Sequence, residues 1–197
     1  MNWCSNETIV FGPKDALDRF VHDFKDAISS NPSFKRVKND FGDEWLGNIF
    51  SMAGIDPLSK NIRCRGFITD VDDYNEEEFI FRYESAWGPI IESIDLLLEK
   101  YGLEEVTYYE QIDFGDYGSN DVEHVYFDDK YYVDVCYRKD EELNYIDEYV
   151  KTDEGLLNLF EEIGLKFDTV DELLVHLDEI DVDDEEFYNV HIIDYSR

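Results

Sequence analysis

The chain has few of the residues that interrupt or staple a fold. Four prolines and eleven glycines in 197 residues exclude collagen-like and linker-type material. Three cysteines, Cys4, Cys64 and Cys136, leave an odd thiol under any pairing, which fits a reducing cytosol better than a disulfide framework. No apolar run approaches the roughly 18–20 residues of a membrane span, and no signal peptide is visible. A cytoplasmic protein without a membrane partner is therefore expected. The scarcest property is positive charge: 17 Lys and Arg stand against 49 Asp and Glu, a net charge of −32. A surface so acidic repels phosphate, which excludes direct DNA or RNA binding.

What the chain does have is material for a core. Hydrophobic residues make up 43% and aromatic residues 16%, so the charge does not imply disorder. The charge is also segregated. Residues 1–65 hold 9 acidic and 9 basic residues; 66–138 hold 20 and 4; 139–197 again hold 20 and 4. Salt adaptation acidifies every exposed surface alike, which this pattern does not do. A compact chain of this length is about 40 Å across, and duplex DNA carries about two dozen charges over that distance. The protein matches or exceeds that figure, at a cost in self-repulsion.

Hydrophobic periodicity gives an order of elements. Residues 5–11 read as a strand that stops at Gly12–Pro13, after which Leu17, Phe20, Val21, Phe24 and Ile28 recur at helical spacing. Residues 30–60 read as an irregular insertion with a short helix near 44–52. Strands follow at 62–71 and 78–85, then a helix with the stripe Ile90, Ile91, Ile94, Leu97, Leu98 and Tyr101, capped at Gly102. Residues 105–112 form a fourth strand. The order β-α-β-β-α-β predicts an α+β, ferredoxin-like antiparallel sheet with helices on one face. Strands at 122–127 and 131–136 are expected to extend it as a further hairpin. That places one domain at 1–137 and an acidic α/β extension at 138–197, with helices at 154–163 and 170–180 and a last strand at 187–195. Thr169 and Glu172 have capping-box spacing.

The opening Asn2-Trp3-Cys4-Ser5-Asn6, followed by a strand and Gly12, resembles the YubB-like ferredoxin-like domain family, as does Ser85-Ala86-Trp87-Gly88-Pro89-Ile90. The likeness covers about residues 1–137. The chain departs from it in the 30–60 insertion, in lacking a proline after Met1, and in the degenerate stretch Phe114-Gly115-Asp116-Tyr117-Gly118. The resemblance implies a plasmid or phage setting and carries no catalytic residues with it.

Motifs for chemistry are mostly missing. His22, His124, His176 and His191 have no metal-ligand spacing, and neither phosphate-binding glycine patterns nor a nucleophile elbow is present. No enzyme and no cofactor are expected. Asp70-x-Asp72-Asp73 and Asp181-x-Asp183-Asp184 supply oxygen ligands but lack the glycine and glutamate of an EF-hand loop.

Carboxylates on one strand face repeat every 6.6–6.8 Å or so, close to the phosphate spacing along a nucleic-acid strand. Glu105, Glu110, Asp113, Asp116, Asp121, Glu123, Asp128, Asp129 and Asp134 are therefore candidates to line the sheet. Tyr109 and Tyr132 would serve among them as anchors, and Asp181, Asp183, Asp184, Glu185 and Glu186 would continue the pattern. The complement of such a surface is a basic groove that normally holds nucleic acid. With a mobile-element setting, the expected function is a non-enzymatic inhibitor of a host defence system, of anti-CRISPR or anti-restriction type, acting as a DNA mimic on a basic nucleic-acid-binding protein. Two other readings are a divalent-cation-responsive binding module and an accessory domain whose acidity serves solubility.

Overall fold

Residues 2–72, 74–180 and 185–196 are described in a computed structural model of the chain. In chain order the elements are β1 (Trp3–Phe11), α1 (Lys14–Ala27), α2 (Leu46–Met52), β2 (Gly66–Val71), β3 (Glu78–Ala86), α3 (Ile91–Leu98), β4 (Glu104–Gln111), β5 (Asp116–Ser119), β6 (Tyr131–Lys139), β7 (Glu142–Val150), α4 (Asp153–Glu162), α5 (Val170–Glu179) and β8 (Phe187–Ile192). Two compact units result, one running up to Val122 and the other from Glu123 to Tyr195.

The first unit is built on a five-stranded antiparallel sheet of order β2-β3-β1-β4-β5. The central order of four, with helices after β1 and β3, is the ferredoxin-like arrangement and makes the unit α+β. Alternation decides which face meets the helices. Val10, Phe79, Phe81, Tyr83 and Ile68 share a core with Leu17, Phe20 and Phe24 of α1 and with Ile94, Leu97 and Leu98 of α3. Each fully buried large side chain contributes roughly 1.5–3 kcal/mol of burial energy. Gly102 takes a left-handed φ of 71° just beyond α3, where a side chain would be strained. At Gly66 the chains lie so close that a Cβ would stand 2.0 Å from the Glu84 carbonyl oxygen.

The insertion at 30–60 is part of this core. Trp45, Leu46, Ile49 and Phe50 are buried in it, and Asn48 Nδ2 donates to the carbonyls of Gly42 and Asp43.

The second unit holds the three-stranded antiparallel sheet β7-β6-β8, packed on α4 and α5. Tyr131, Val133 and Val135 of β6 meet Leu156, Phe160 and Leu173 from the helices. Thr152 and Thr169 cap the helices by accepting from the amides of Gly155 and Glu172.

The sheet extension and the domain boundary differ from the sequence expectation. Residues 122–127 form no strand, because His124 has a left-handed φ of 53° and Val122 and Val125 are exposed. The segment expected at 131–136 is β6, paired with β7 and β8 rather than with the first sheet. The extending hairpin is instead β4–β5, and the division falls at 122/123, not 137/138. By this division residues 123–195 hold 24 acidic and 5 basic residues, so the smaller unit is the more densely charged.

Candidate functional site

In the first sheet, one cross-strand row on the face turned away from the helices reads Phe67–Glu84–Ser5–Glu110–Tyr117. The next reads Asp70–Arg82–Glu7–Tyr108–Ser119. Neighbours in a row are roughly 4.7–4.9 Å apart in the backbone. Arg82 ties the second row together: its guanidinium donates to Glu7 at 2.6 Å, to Asp70 at 3.1 Å and to Asp72 at 2.9 Å. Those carboxylates raise its already high pKa further.

The first row opens at its Trp3 end into a groove of about 490 Å³, lined by Trp3, Ser5, Phe67, Glu84, Glu110, Ile112 and Asp113. The Trp3 and Phe67 rings meet edge to face at 5.4 Å, and Ser5 Oγ donates to Glu84 at 2.7 Å. Three carboxylates thus border apolar walls. Among the described residues, no group of three His, Cys, Asp or Glu side chains is placed to hold a metal ion.

The second sheet has a comparable face. Away from α4 and α5, its rows read Tyr149–Tyr132–His191, Asp147–Asp134–Asn189 and Tyr145–Cys136–Phe187. Tyr132 lies 5.1 Å from Tyr149 and 6.0 Å from His191, the latter pair stacked. Asp134 and Asp147 face one another directly across the strands, an arrangement of like charges that costs stability. Four of this unit's five basic residues are paired with carboxylates: Lys130 with Asp153, Arg138 with Glu185, Lys151 with Asp128, and Lys166 with Glu161. The acidic excess survives that pairing.

The residues expected to form one acidic surface are distributed unevenly. Glu110 and Asp113 meet at the groove, while Asp116 is exposed on β5. Glu105 is a correction: five residues from Glu110, it points to the opposite face of β4 and is 5% exposed. Its carboxylate accepts from Thr107 Oγ1 at 2.5 Å and from Asn120 Nδ2 at 2.7 Å. Asp121 is likewise buried, at 4%. Neither belongs to a touchable surface; both sit in the polar seam that joins β4 to the residues after β5. Tyr109 is half-buried on the same side of β4 as Glu105.

In the second unit Glu123 and Asp128 are exposed, and Asp129 is half-buried, with burial raising its pKa. Tyr132 and Asp134 lie together on the face described above. Glu185 and Glu186 bracket the end of β6, where Glu186 accepts from the Arg138 amide at 2.7 Å. Asp181, Asp183 and Asp184, like Asp73, lie outside the described residues.

Sequence reasoning missed Trp3, Phe67, Glu84 and Ile112. The alternation of β1 and β3 held the signal, since Ser5 and Glu84 fall on the face opposite the Phe79–Phe81–Tyr83 run.

Residues 66–153 match the family model described as the ferredoxin-like domain in Api92-like protein. The chain carries a ferredoxin-like domain. The matched span begins with β2 and ends on the first residue of α4, overlapping the expected likeness over 66–137. No curated protein and no solved structure matches the chain. The residues that carried the likeness to the YubB-like family have structural work: Asn6 Nδ2 donates to Ser85 Oγ, Ser85 Oγ to the Gly88 carbonyl, and Arg63 to the carbonyls of Ala86, Trp87 and Pro89. Cys4 and Cys64 are buried beside them, and burial pushes their thiols up to about 12 and about 11. Among the described residues no helix is long and apolar enough to cross a membrane.

Proposed function

We propose that the protein is a non-enzymatic, cytoplasmic binding protein that occupies the basic nucleic-acid groove of a partner, as a mobile-element inhibitor of anti-CRISPR or anti-restriction type in the manner of the YubB-like resemblance. One observation carries this reading. Asp134 and Asp147 are held opposite each other between aromatic rows on a sheet face, where an apolar or mixed-charge pair would be more stable. Retaining like charges there costs the fold and gives a partner's cations two adjacent carboxylates with tyrosine surfaces beside them. The −32 net charge supplies long-range steering to the same kind of partner.

The test uses the full chain, immobilised and mixed with purified CRISPR effectors and restriction enzymes at about 100 mM and about 500 mM NaCl. Capture at low salt that excess duplex DNA or guide RNA displaces supports the proposal. Capture indifferent to both salt and nucleic acid, or none from any such enzyme, overturns it.

A further inference from the structure

The groove at the Trp3 end of the first sheet has walls and charge of different kinds, and together they select one occupant. Trp3 and Phe67 present aromatic surfaces at 74° to each other, and Ile112, 67% exposed, closes a third apolar side. Glu84, Glu110 and Asp113 border it. Among the described residues no ion pair includes Glu84 or Asp113, whereas seven lysines and arginines elsewhere on the chain are in ion pairs with other carboxylates. A volume of about 490 Å³ takes a whole side chain with its neighbouring backbone. The carboxylates are spread around the mouth rather than converging on a point, which does not suit a metal ion. It suits a cation that is large, flat and partly apolar.

We infer that this groove is the anchor site for an arginine side chain presented by the protein's partner. The guanidinium is planar and weakly hydrated. It stacks on aromatic faces while its N–H fork pairs with carboxylates at the edges. A lysine ammonium, compact and strongly hydrated, uses the carboxylates but gains less from Trp3 and Phe67. Ser5 fixes one element of the site, since its hydroxyl holds the Glu84 carboxylate at 2.7 Å across β1 and β3. Ile112 and Asp113 come from the single turn of 3-10 helix between β4 and β5, so the hairpin that extends the sheet also builds one wall. This inference deepens the proposed function and rests on the partner being basic, but its test needs no partner.

The probe is a short blocked peptide of alternating glycine and arginine, titrated into the full chain at low salt. The readout is the indole N–H signal of Trp3, beside those of Trp45 and Trp87, in proton–nitrogen NMR spectra. The Trp3 signal is expected to move in a saturable way. E84Q combined with D113N is expected to weaken binding about tenfold, about 1.4 kcal/mol. E92Q combined with E99Q removes the same charge from exposed positions in the first turn of α3 and just beyond its end, on the other side of the sheet. It should weaken binding less than about twofold. The lysine peptide should bind several-fold more weakly than the arginine peptide. Equal losses from the two double variants, an unmoved Trp3 indole, or lysine binding as tightly as arginine overturns the inference. If the peptide fails while nucleic-acid-sensitive capture of a defence enzyme persists, the anchor site falls and the proposed function stands; the reverse pattern separates them the other way.

Discussion

The Glu105 carboxylate accepts from the Asn120 side-chain Nδ2 at 2.7 Å, and Asn120 Oδ1 in turn accepts from the Thr107 backbone amide at 2.6 Å. Thr107 donates its own hydroxyl to Glu105 and shares a 2.7 Å contact with Thr8 across the strands. This buried seam fastens β1, β4 and the residues after β5 into one unit. Buried polar groups stripped of one partner carry the full desolvation penalty. Asn120→Ala is therefore expected to lower the stability of the ferredoxin-like unit by about 2 kcal/mol. Urea unfolding followed by amide exchange in β4 checks it, with no change in β6–β8 expected.

Much of the fold was legible because its periods are clean. The stripe Leu17–Phe20–Val21–Phe24 marks α1, and Phe79–Phe81–Tyr83 marks β3; both are buried as the spacing requires. Strand β7 and the site were not legible. Strand β7 reads Glu-Leu-Asn-Tyr-Ile-Asp-Glu-Tyr-Val, an edge strand whose exposed charges protect it from further pairing and hide its periodicity. Its turn adds to the concealment: Asp140 and Glu141 both take left-handed φ, 53° and 69°, where glycine or asparagine is usual. The second miss is the site. Counting acids along a segment put Glu105 and Glu110 in one set, but an odd spacing on a strand sends them to opposite faces. The groove draws on β1, β2, β3, β4 and the turn after β4, a convergence that only the sheet order reveals.

Arg82 is the counter-ion of the first sheet's acidic face, held by Glu7, Asp70 and Asp72. Its side chain is about a third exposed, so solvent screens each pair, and the network is worth more than any one contact. Arg82→Met is expected to cost about 1–2 kcal/mol and to make the melting temperature rise more steeply with added salt than in the wild type. Arg82→Lys should recover less than half of the loss, because an ammonium cannot span three carboxylates as the guanidinium fork does. Calorimetric melts across a salt series measure both effects.

Two aspartates in the second unit titrate in opposite senses. Lys130 and the Tyr131 hydroxyl, which donates at 2.7 Å, hold the Asp153 carboxyl below the usual carboxylate range. Its stabilising effect is fully present above the unfolded value of ~3.9 and is lost as pH falls through the lower folded value. Asp129 is raised by burial, so its effect has the other sign: it favours the fold below the unfolded value and is lost as pH rises through the folded one. Urea midpoints measured between about pH 2 and about pH 6 are expected to show a shallower acid limb for Asp153→Asn than for the wild type. Asp129→Asn is expected to raise the midpoint on the neutral side and leave the acid limb in place.

On the proposed function, Asp134 and Asp147 set stability against recognition. Side chains directly opposite on antiparallel strands stand roughly 4.5–5.5 Å apart at Cβ, and like charges there repel. Asp134→Asn removes the repulsion without changing shape, and the expected gain is about 0.5 kcal/mol, read as a higher urea midpoint. The same substitution takes one of two adjacent carboxylates from the face that carries Tyr132 and Tyr149. Capture of a basic partner should then weaken several-fold, chiefly through faster dissociation, because a close charge contact is lost rather than distant steering. A solubility role for the acidity predicts the stability gain with binding untouched. Surface plasmon resonance on the same variant used for the urea melts decides between them, since one substitution moves the two quantities in opposite directions only if these carboxylates are held together for a partner.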